Sequence, residues 1–329
     1  MRLVELNCEN LFDTIHDAGF DDHEFLPSSQ KRWTKQRYRH KINLISKELI
    51  ACSPTSPPDI VVLIEVENDS VMRDLTKRSP LATLHYKYLM THSNDPRGID
   101  VALMYLEPSF KPLETHSIDW KKKIGIKTNT RNLLHVRGQT MCGDTIDILV
   151  CHQPSRRGGR KSELLRNKTA TGIRKYADSL MALNKNTKII IIGDFNDTPH
   201  NKSIKQSLGA KSLATKHPNG QVSYCDTLLY NLATTPLSTQ GIKGTYRYRG
   251  NWEMLDQCIV NGKLLNTTKG LRTKPGSLRI VDEPFLLSPD KNHGGLSPRR
   301  TYLGSFYLGG FSDHLPIVIE FEYCQATDT

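Results

Sequence analysis

Ile189-Ile190-Ile191-Ile192-Gly193-Asp194-Phe195-Asn196-Asp197 is a run of four β-branched residues that stops abruptly in carboxylate, aromatic, amide and carboxylate. Four such residues in succession read as a central strand covered on both faces. The two-residue period then sets Asp194 and Asn196 on one side and Phe195 on the other. A candidate base and a hydrogen-bond donor therefore share one rim. Asp197 falls with Phe195, and its expected work is to shape the turn into Pro199.

Outward from this run, further strands are expected at residues 3–8, 60–65, 86–90, 100–105, 133–139, 146–152, 255–260 and 315–322. Helical spacing of apolar residues predicts helices over 35–51 and 161–183, with a shorter one over 69–76. Many strands with a few helices between them, and no repeat, point to two sheets packed face to face with helices outside, an α/β or α+β sandwich. The 329 residues fit one domain, 1–329. Residues 270–311, rich in Gly, Pro, Arg and Tyr, read as a long loop insertion. Arg299, Arg300, Tyr302, Tyr307 and Gly309-Gly310 suggest that it is ordered and faces an anion.

The net charge of +11 biases the surface toward polyanions, and residues 121–175 hold 14 Lys or Arg against three acids. A nucleic acid or an anionic lipid fits this, as does a merely basic soluble protein. No apolar run approaches the roughly 20 residues of a membrane-spanning helix, so no transmembrane segment is expected. The N-terminus shows no charged-then-apolar leader. A cytoplasmic protein is expected, or an exported one whose leader has been removed. The seven cysteines are scattered without C-x-x-C spacing and read as free thiols, mostly buried.

Polar residues recur where strands end. Asn7 closes the first strand, with Glu9 and Asn10 behind it. Glu65 closes Ile60-Val61-Val62-Leu63-Ile64, and read singly it is equally a surface cap and a metal ligand. His152 closes Ile148-Leu149-Val150-Cys151 and leads into Pro154-Ser155-Arg156-Arg157-Gly158-Gly159, a loop suited to an oxyanion. Asp256 opens a strand, and Asp313-His314 precedes the last one. Taken singly each has a bland reading as a turn or a cap; together they do not, because turns need not draw on Asn, Glu, His and Asp at successive strand ends.

Glu5-Leu6-Asn7-Cys8-Glu9-Asn10-Leu11-Phe12, Ile64-Glu65-Val66-Glu67-Asn68, Gly193-Asp194-Phe195-Asn196-Asp197, Leu255-Asp256 and Ser312-Asp313-His314-Leu315-Pro316 resemble, in order, the motif set of the endonuclease/exonuclease/phosphatase superfamily. That superfamily includes deoxyribonuclease I, exonuclease III-type enzymes, neutral sphingomyelinases and inositol-polyphosphate 5-phosphatases. Pro96-Arg97-Gly98-Ile99-Asp100 with the 154–159 loop resembles a poorly characterised bacterial branch. The resemblance implies a four-layered, deoxyribonuclease I-like α/β sandwich and a divalent cation, Mg²⁺ or Mn²⁺, near Glu65, Asn7 and Asp313. It gives Asp194 the attacking water, Asn196 the phosphoryl oxygens, and Asp256 the orientation of His314 toward the phosphate. His152 receives a weaker leaving-group role, and Arg97, Arg156, Arg157, Arg299 and Arg300 are further candidates for phosphate contact.

Hard oxygen donors suit Mg²⁺ or Mn²⁺ independently of the resemblance. The expected function is metal-dependent hydrolysis of a phosphodiester by in-line attack of water, with nucleic acid as substrate and a monomer as the default state. Sphingomyelinase-like or inositol-phosphate phosphatase activity is the alternative. A lipid enzyme should carry an exposed apolar hairpin, and only residues 304–311 offer one. A catalytically inactive scaffold binding nucleic acid or protein would need a catalytic position replaced, and Glu65, Asp194, Asn196, Asp256 and His314 are all present.

Overall fold

In the computed structural model, which describes residues 1–213 and 223–324, the isoleucine run is the central strand of a seven-stranded sheet. Strands are numbered in chain order. This sheet runs β5 (Phe110–Ile118), β6 (Leu133–Thr140), β7 (Thr145–His152), β8 (Lys188–Asp194), β13 (Asp256–Asn261), β10 (Leu229–Asn231), β9 (Lys211–Ser212). A six-stranded sheet runs β14 (Gly270–Ile280), β19 (Ile317–Cys324), β1 (Arg2–Leu11), β2 (Ile60–Val66), β4 (Asp100–Tyr105), β3 (Lys87–Met90). Both sheets are mixed, and β1, β2 and β4 of one lie over β7, β8 and β13 of the other.

The isoleucines show how period two builds the layers. Ile190 and Ile192 point into the core between the sheets, while Ile189, Ile191 and Phe195 point outward beneath the helix α3 (Gly159–Leu183). Each of the four is fully buried, which stabilises the fold by about 2 kcal/mol per side chain. The helices α1 (Lys35–Ala51) and α2 (Asp69–Lys77) cover the other sheet, giving four layers. Thr34 caps α1 by accepting from Arg37 N–H, and Asn68 caps α2 by accepting from Val71 N–H. The α2 cap stands three residues beyond Glu65 and fixes where that strand ends.

Residues 270–311 are not a long loop. Residues 270–280 form β14, the edge strand beside β19, with a register shift between Thr273 and Leu278. Its Pro275 and Gly276 hid the strand from sequence reading, and both are tolerated because the strand is an edge with a bulge. Two small hairpins follow, β15 (Leu287–Pro289) with β16 (Leu296–Pro298), and β17 (Tyr302–Leu303) with β18 (Phe306–Tyr307). A third, β11 (Tyr246–Tyr248) with β12 (Asn251–Glu253), precedes β13. All seven cysteines are free; Cys8, Cys52, Cys151 and Cys258 are buried, while Cys142 and Cys225 are exposed.

Candidate active site

The parallel pairs β1/β2 and β7/β8 leave the C-terminal ends of four central strands at one edge of the sandwich, and β13 begins at the same edge. The register sets Asp194 between His152 of β7 and Asp256 of β13, so three ionisable side chains lie abreast on neighbouring strands. β1 and β2 bring Asn7 and Glu65 to the facing sheet, and both strands are irregular there. Four of the non-glycine residues with positive φ gather at this edge: Glu9, Asn10, Glu65 and Asn196. Such backbone is costly for these residues and is held in place only where its surroundings over-determine it.

Asp194 is buried, and three donated hydrogen bonds offset its desolvation. Asn7 Nδ2 and Asn196 Nδ2 each donate to Oδ2 at 3.1 Å, and Asn196 N–H donates to Oδ1 at 2.7 Å. Burial nevertheless lifts its pKa to about 7, with the nearby Asp256 charge adding to the rise. Across the strand, Asp256 Oδ2 accepts from the Thr245 hydroxyl and lies 2.7 Å from His314 Nδ1. Burial works to lower the His314 pKa, but the charges of Asp256, Asp194 and Asp313 outweigh it and hold the pKa well above the ordinary histidine value. His314 is therefore an imidazolium near neutrality, oriented by Asp256, with the Tyr246 ring 4.9 Å away.

Glu65 Oε2 accepts from Asn10 N–H at 3.0 Å; its Oε1 lies 3.5 Å from Arg97 Nη2 and 3.8 Å from His152 Nε2. His152 is buried, with Nε2 3.6 Å from Asp194 Oδ2 and no hydrogen-bond partner for Nδ1. Burial, then the guanidiniums of Arg131 and Arg97, push its pKa well below the ordinary value. It is neutral, so it can donate one hydrogen bond but carries no charge to a leaving group.

The remaining sequence candidates divide. Asn7 joins the site, but as a donor to Asp194; its amide oxygen also accepts from Glu9 N–H at 3.0 Å. Asp313, expected near the cation, is paired with Arg300 Nη2 at 2.7 Å, because the 299–311 segment folds back beside it. Arg156 is engaged by the Asn196 carbonyl at 2.7 Å and Glu253 at 2.7 Å, and so braces the turn after β8. Arg157 and Arg299 are exposed, and the Arg299 guanidinium lies over Phe311. Asp197 does more than shape a turn: it is buried, accepting from Arg166 Nε at 2.8 Å and the Ser203 hydroxyl at 2.6 Å.

Four residues escaped as site candidates. Glu5 is fully buried; no N–H or hydroxyl donor reaches its oxygens, and its carboxyl hydrogen-bonds Asp256. Burial first, then the charges of Asp256 and Asp194, raise its pKa well above the carboxylate range. Its signal was in the sequence, since period two puts it on the face of Asn7. Glu9 fastens the 299–311 segment by accepting from Thr301 N–H at 2.6 Å and Tyr302 N–H at 3.1 Å. Thr245 and Tyr246 reach Asp256 and His314 through a bridge between Tyr246 and His314, a pairing that no local pattern announces.

Whether a divalent cation fits can be judged from these donors. Asp194, Asp256 and His314 cluster with their polar atoms within 4.8 Å of one another, but His314 is held protonated by Asp256 and lends no ligand atom, which leaves the oxygens of the site to a cation. Carboxyl oxygens crowd this corner, where Glu5 keeps its proton and hydrogen-bonds Asp256, so the anionic charge lies on its neighbours. Clustered carboxylate and amide oxygens are the donor set of a hard cation. The arrangement can hold such a cation, accept a proton at Asp194 and present a cation at His314 to an anionic group.

The model described as the endonuclease/exonuclease/phosphatase family matches residues 3–323. No curated protein sequence matches the chain. Among solved structures, D. rerio TDP2 complexed with single strand DNA product is 13% identical with a TM-score of 0.56, covering 98% of each chain. The mannosyl-6-phosphatase Bt3783 of Bacteroides thetaiotaomicron VPI-5482 is 13% identical with a TM-score of 0.58, covering 98% of this chain and 100% of that one. The human Nocturnin catalytic domain with bound sulfate is 18% identical with a TM-score of 0.54, over 98% and 94%. At these identities the likeness establishes the α/β sandwich shared with deoxyribonuclease I.

Proposed function

The chain belongs to the endonuclease/exonuclease/phosphatase family of divalent-metal-dependent enzymes that hydrolyse phosphoester bonds, and from that premise we propose that it cleaves phosphodiesters, nucleic acid first among them. The observation that carries this reading is the pairing of opposite proton tasks at one edge. Asp194, with a pKa raised to about 7, can take a proton from water near neutrality, while His314, held as imidazolium by Asp256, can face a phosphate oxygen. Asn196 and Asn7 fix the Asp194 carboxylate, so the water it holds has a set direction of attack. Asn196 Nδ2 also donates to the Gln153 carbonyl at 3.0 Å, which fixes the amide beside the incoming phosphate. Neutral His152 contributes polarity beside Asp194 and Glu65, and Arg97 adds positive charge next to Glu65.

Glu65 and the Asn7 amide oxygen would hold the cation, Mg²⁺ or Mn²⁺, with Asp313 in reserve behind its pair with Arg300. When bound, the cation supplies charge neutralisation on the phosphoryl oxygens and the leaving alkoxide. The net charge of +11 supports a polyanionic substrate whose binding weakens as salt rises.

A second reading has its own observation. The β17/β18 hairpin exposes Leu303 and Phe306, with Leu308 beside them, on the segment that also carries Arg299 and Arg300. An exposed apolar hairpin beside the site favours a lipid headgroup phosphodiester.

A substrate panel separates the two. Single- and double-stranded DNA, RNA, sphingomyelin in mixed micelles, inositol phosphates and mannose 6-phosphate are each assayed with Mg²⁺, Mn²⁺ or Ca²⁺, with and without EDTA. Metal-dependent cleavage of oligonucleotides is the expected result. Turnover of phosphomonoesters alone would overturn the phosphodiesterase reading.

A further inference from the structure

We propose that His16, Asp22 and His23 form a second metal site, one for a borderline transition-metal cation such as Zn²⁺ or Co²⁺, separate from the phosphoester-cleaving centre. Each of the three offers a ligand atom, and these atoms lie within 4.8 Å of one another. The donors come from a single loop between β1 and α1 and include none of the residues assigned to hydrolysis.

The loop is built around the carboxylate. Asp22 is 2% exposed; one oxygen pairs with His16 Nδ1, and the other accepts from Asp17 N–H at 2.7 Å. The His16 and His23 rings stack at 4.4 Å with 25° between their planes, and both residues are exposed, which leaves a path for an ion and its remaining water ligands. Two imidazoles and one carboxylate are the donor set that selects Zn²⁺ and its neighbours over Mg²⁺. A simple ion pair accounts for His16 and Asp22; it leaves the stacking of His23 on them unexplained.

Local charge and rigidity agree with this reading. Residues 13–25 carry five acids and no Lys or Arg, in a chain whose net charge is +11. A cation is thus drawn to this segment against the field of the whole molecule. The segment is also pinned in advance: Asp21 N–H donates to the Pro96 carbonyl at 2.7 Å, Asn68 Nδ2 donates to Asp17 at 3.0 Å, and Phe25 stacks on Phe12 at 4.3 Å. Gly98 lies against the Phe20 ring. An ion here would lock the loop against the turn that carries Arg97, next to Glu65.

The test is a Co²⁺ titration of the full chain in saturating Mg²⁺, followed by visible absorption, with Zn²⁺ competition read by calorimetry. One equivalent should bind with ligand-field bands. His16→Ala and His23→Ala should each weaken binding more than the roughly 10-fold lost with even an outer partner of a metal ligand. His314→Ala should leave the bands and the stoichiometry unchanged. Both loop positions are exposed, and circular dichroism checks that the variants fold. Absence of bound Co²⁺, affinity unchanged in His23→Ala, or bands lost only in His314→Ala would each overturn the proposal.

Discussion

Asp194 and His314 are both buried, yet burial wins at one and loses at the other. At Asp194 three neutral hydrogen bonds do not match the desolvation, so the carboxyl keeps its proton to about pH 7. At His314 a full negative charge at 2.7 Å outweighs desolvation. Activity should therefore rise with pH through about 7 as Asp194 ionises, a bound cation drawing this limb lower, and fall at higher pH as His314, held well above the ordinary histidine value, loses its proton. A kcat/KM profile that falls over the acid range would refute the base assignment. His314→Ala should lower kcat by about 10² to 10⁴. Asp256→Asn should move the alkaline limb to lower pH, because His314 loses the charge that keeps it protonated. An unmoved limb would mean that Asp256 does not act through His314.

The elements explain why these residues meet. Gly193 has φ +141°, and a Cβ there would stand 1.9 Å from the Cys151 carbonyl oxygen of the parallel neighbour strand. Gly193→Ala should part β7 from β8 just before His152 and Asp194, costing about 3 kcal/mol or more in urea unfolding. An unchanged midpoint would contradict this close approach. The strands with buried, β-branched cores were legible from sequence; residues 100–105 form a strand with those very bounds, and residues 35–51 form a helix with theirs. The edge strand β3 was legible too, but β5 and β14 were not. β5 is mostly exposed and carries Pro112 and Glu114, and β14 carries Pro275 and Gly276, so neither repeats an apolar pattern. The site divides in the same way. Asp194, His152, Glu65 and Asp256 could be read because apolar strands end or begin at them. Contacts made by loops, such as Thr245 on Asp256 and Arg300 on Asp313, depend on how irregular segments fold back on themselves, which no apolar period records.

The whole molecule stores protons in its buried carboxyls. Burial raises Glu9 to about 7, Glu48 to about 8 and Glu67 to about 9, with Asp194 at about 7. Each binds a proton in the folded state that the unfolded chain has released, so their contribution to stability is fully present below the ordinary carboxylate range and is lost as pH climbs through these values. His152 acts oppositely, since its lowered pKa costs stability only below the ordinary histidine value. In EDTA the Tm should therefore drop by several degrees between about pH 6.5 and about pH 9; a flat or rising Tm would contradict the buried acids. The same buried corner, with its carboxyl oxygens crowded at the meeting of two sheets, is where cation and substrate should converge. The most direct test is the time course of Mg²⁺-supported oligonucleotide hydrolysis by the wild-type chain and by Asp194→Asn at equal, folded concentration, each with and without EDTA. Cleavage by the wild type that stops with EDTA, and a rate at least about 10²-fold lower in Asp194→Asn, is the expected outcome. Equal cleavage by the two proteins, or wild-type cleavage that survives EDTA, would contradict a metal-dependent centre built on Asp194.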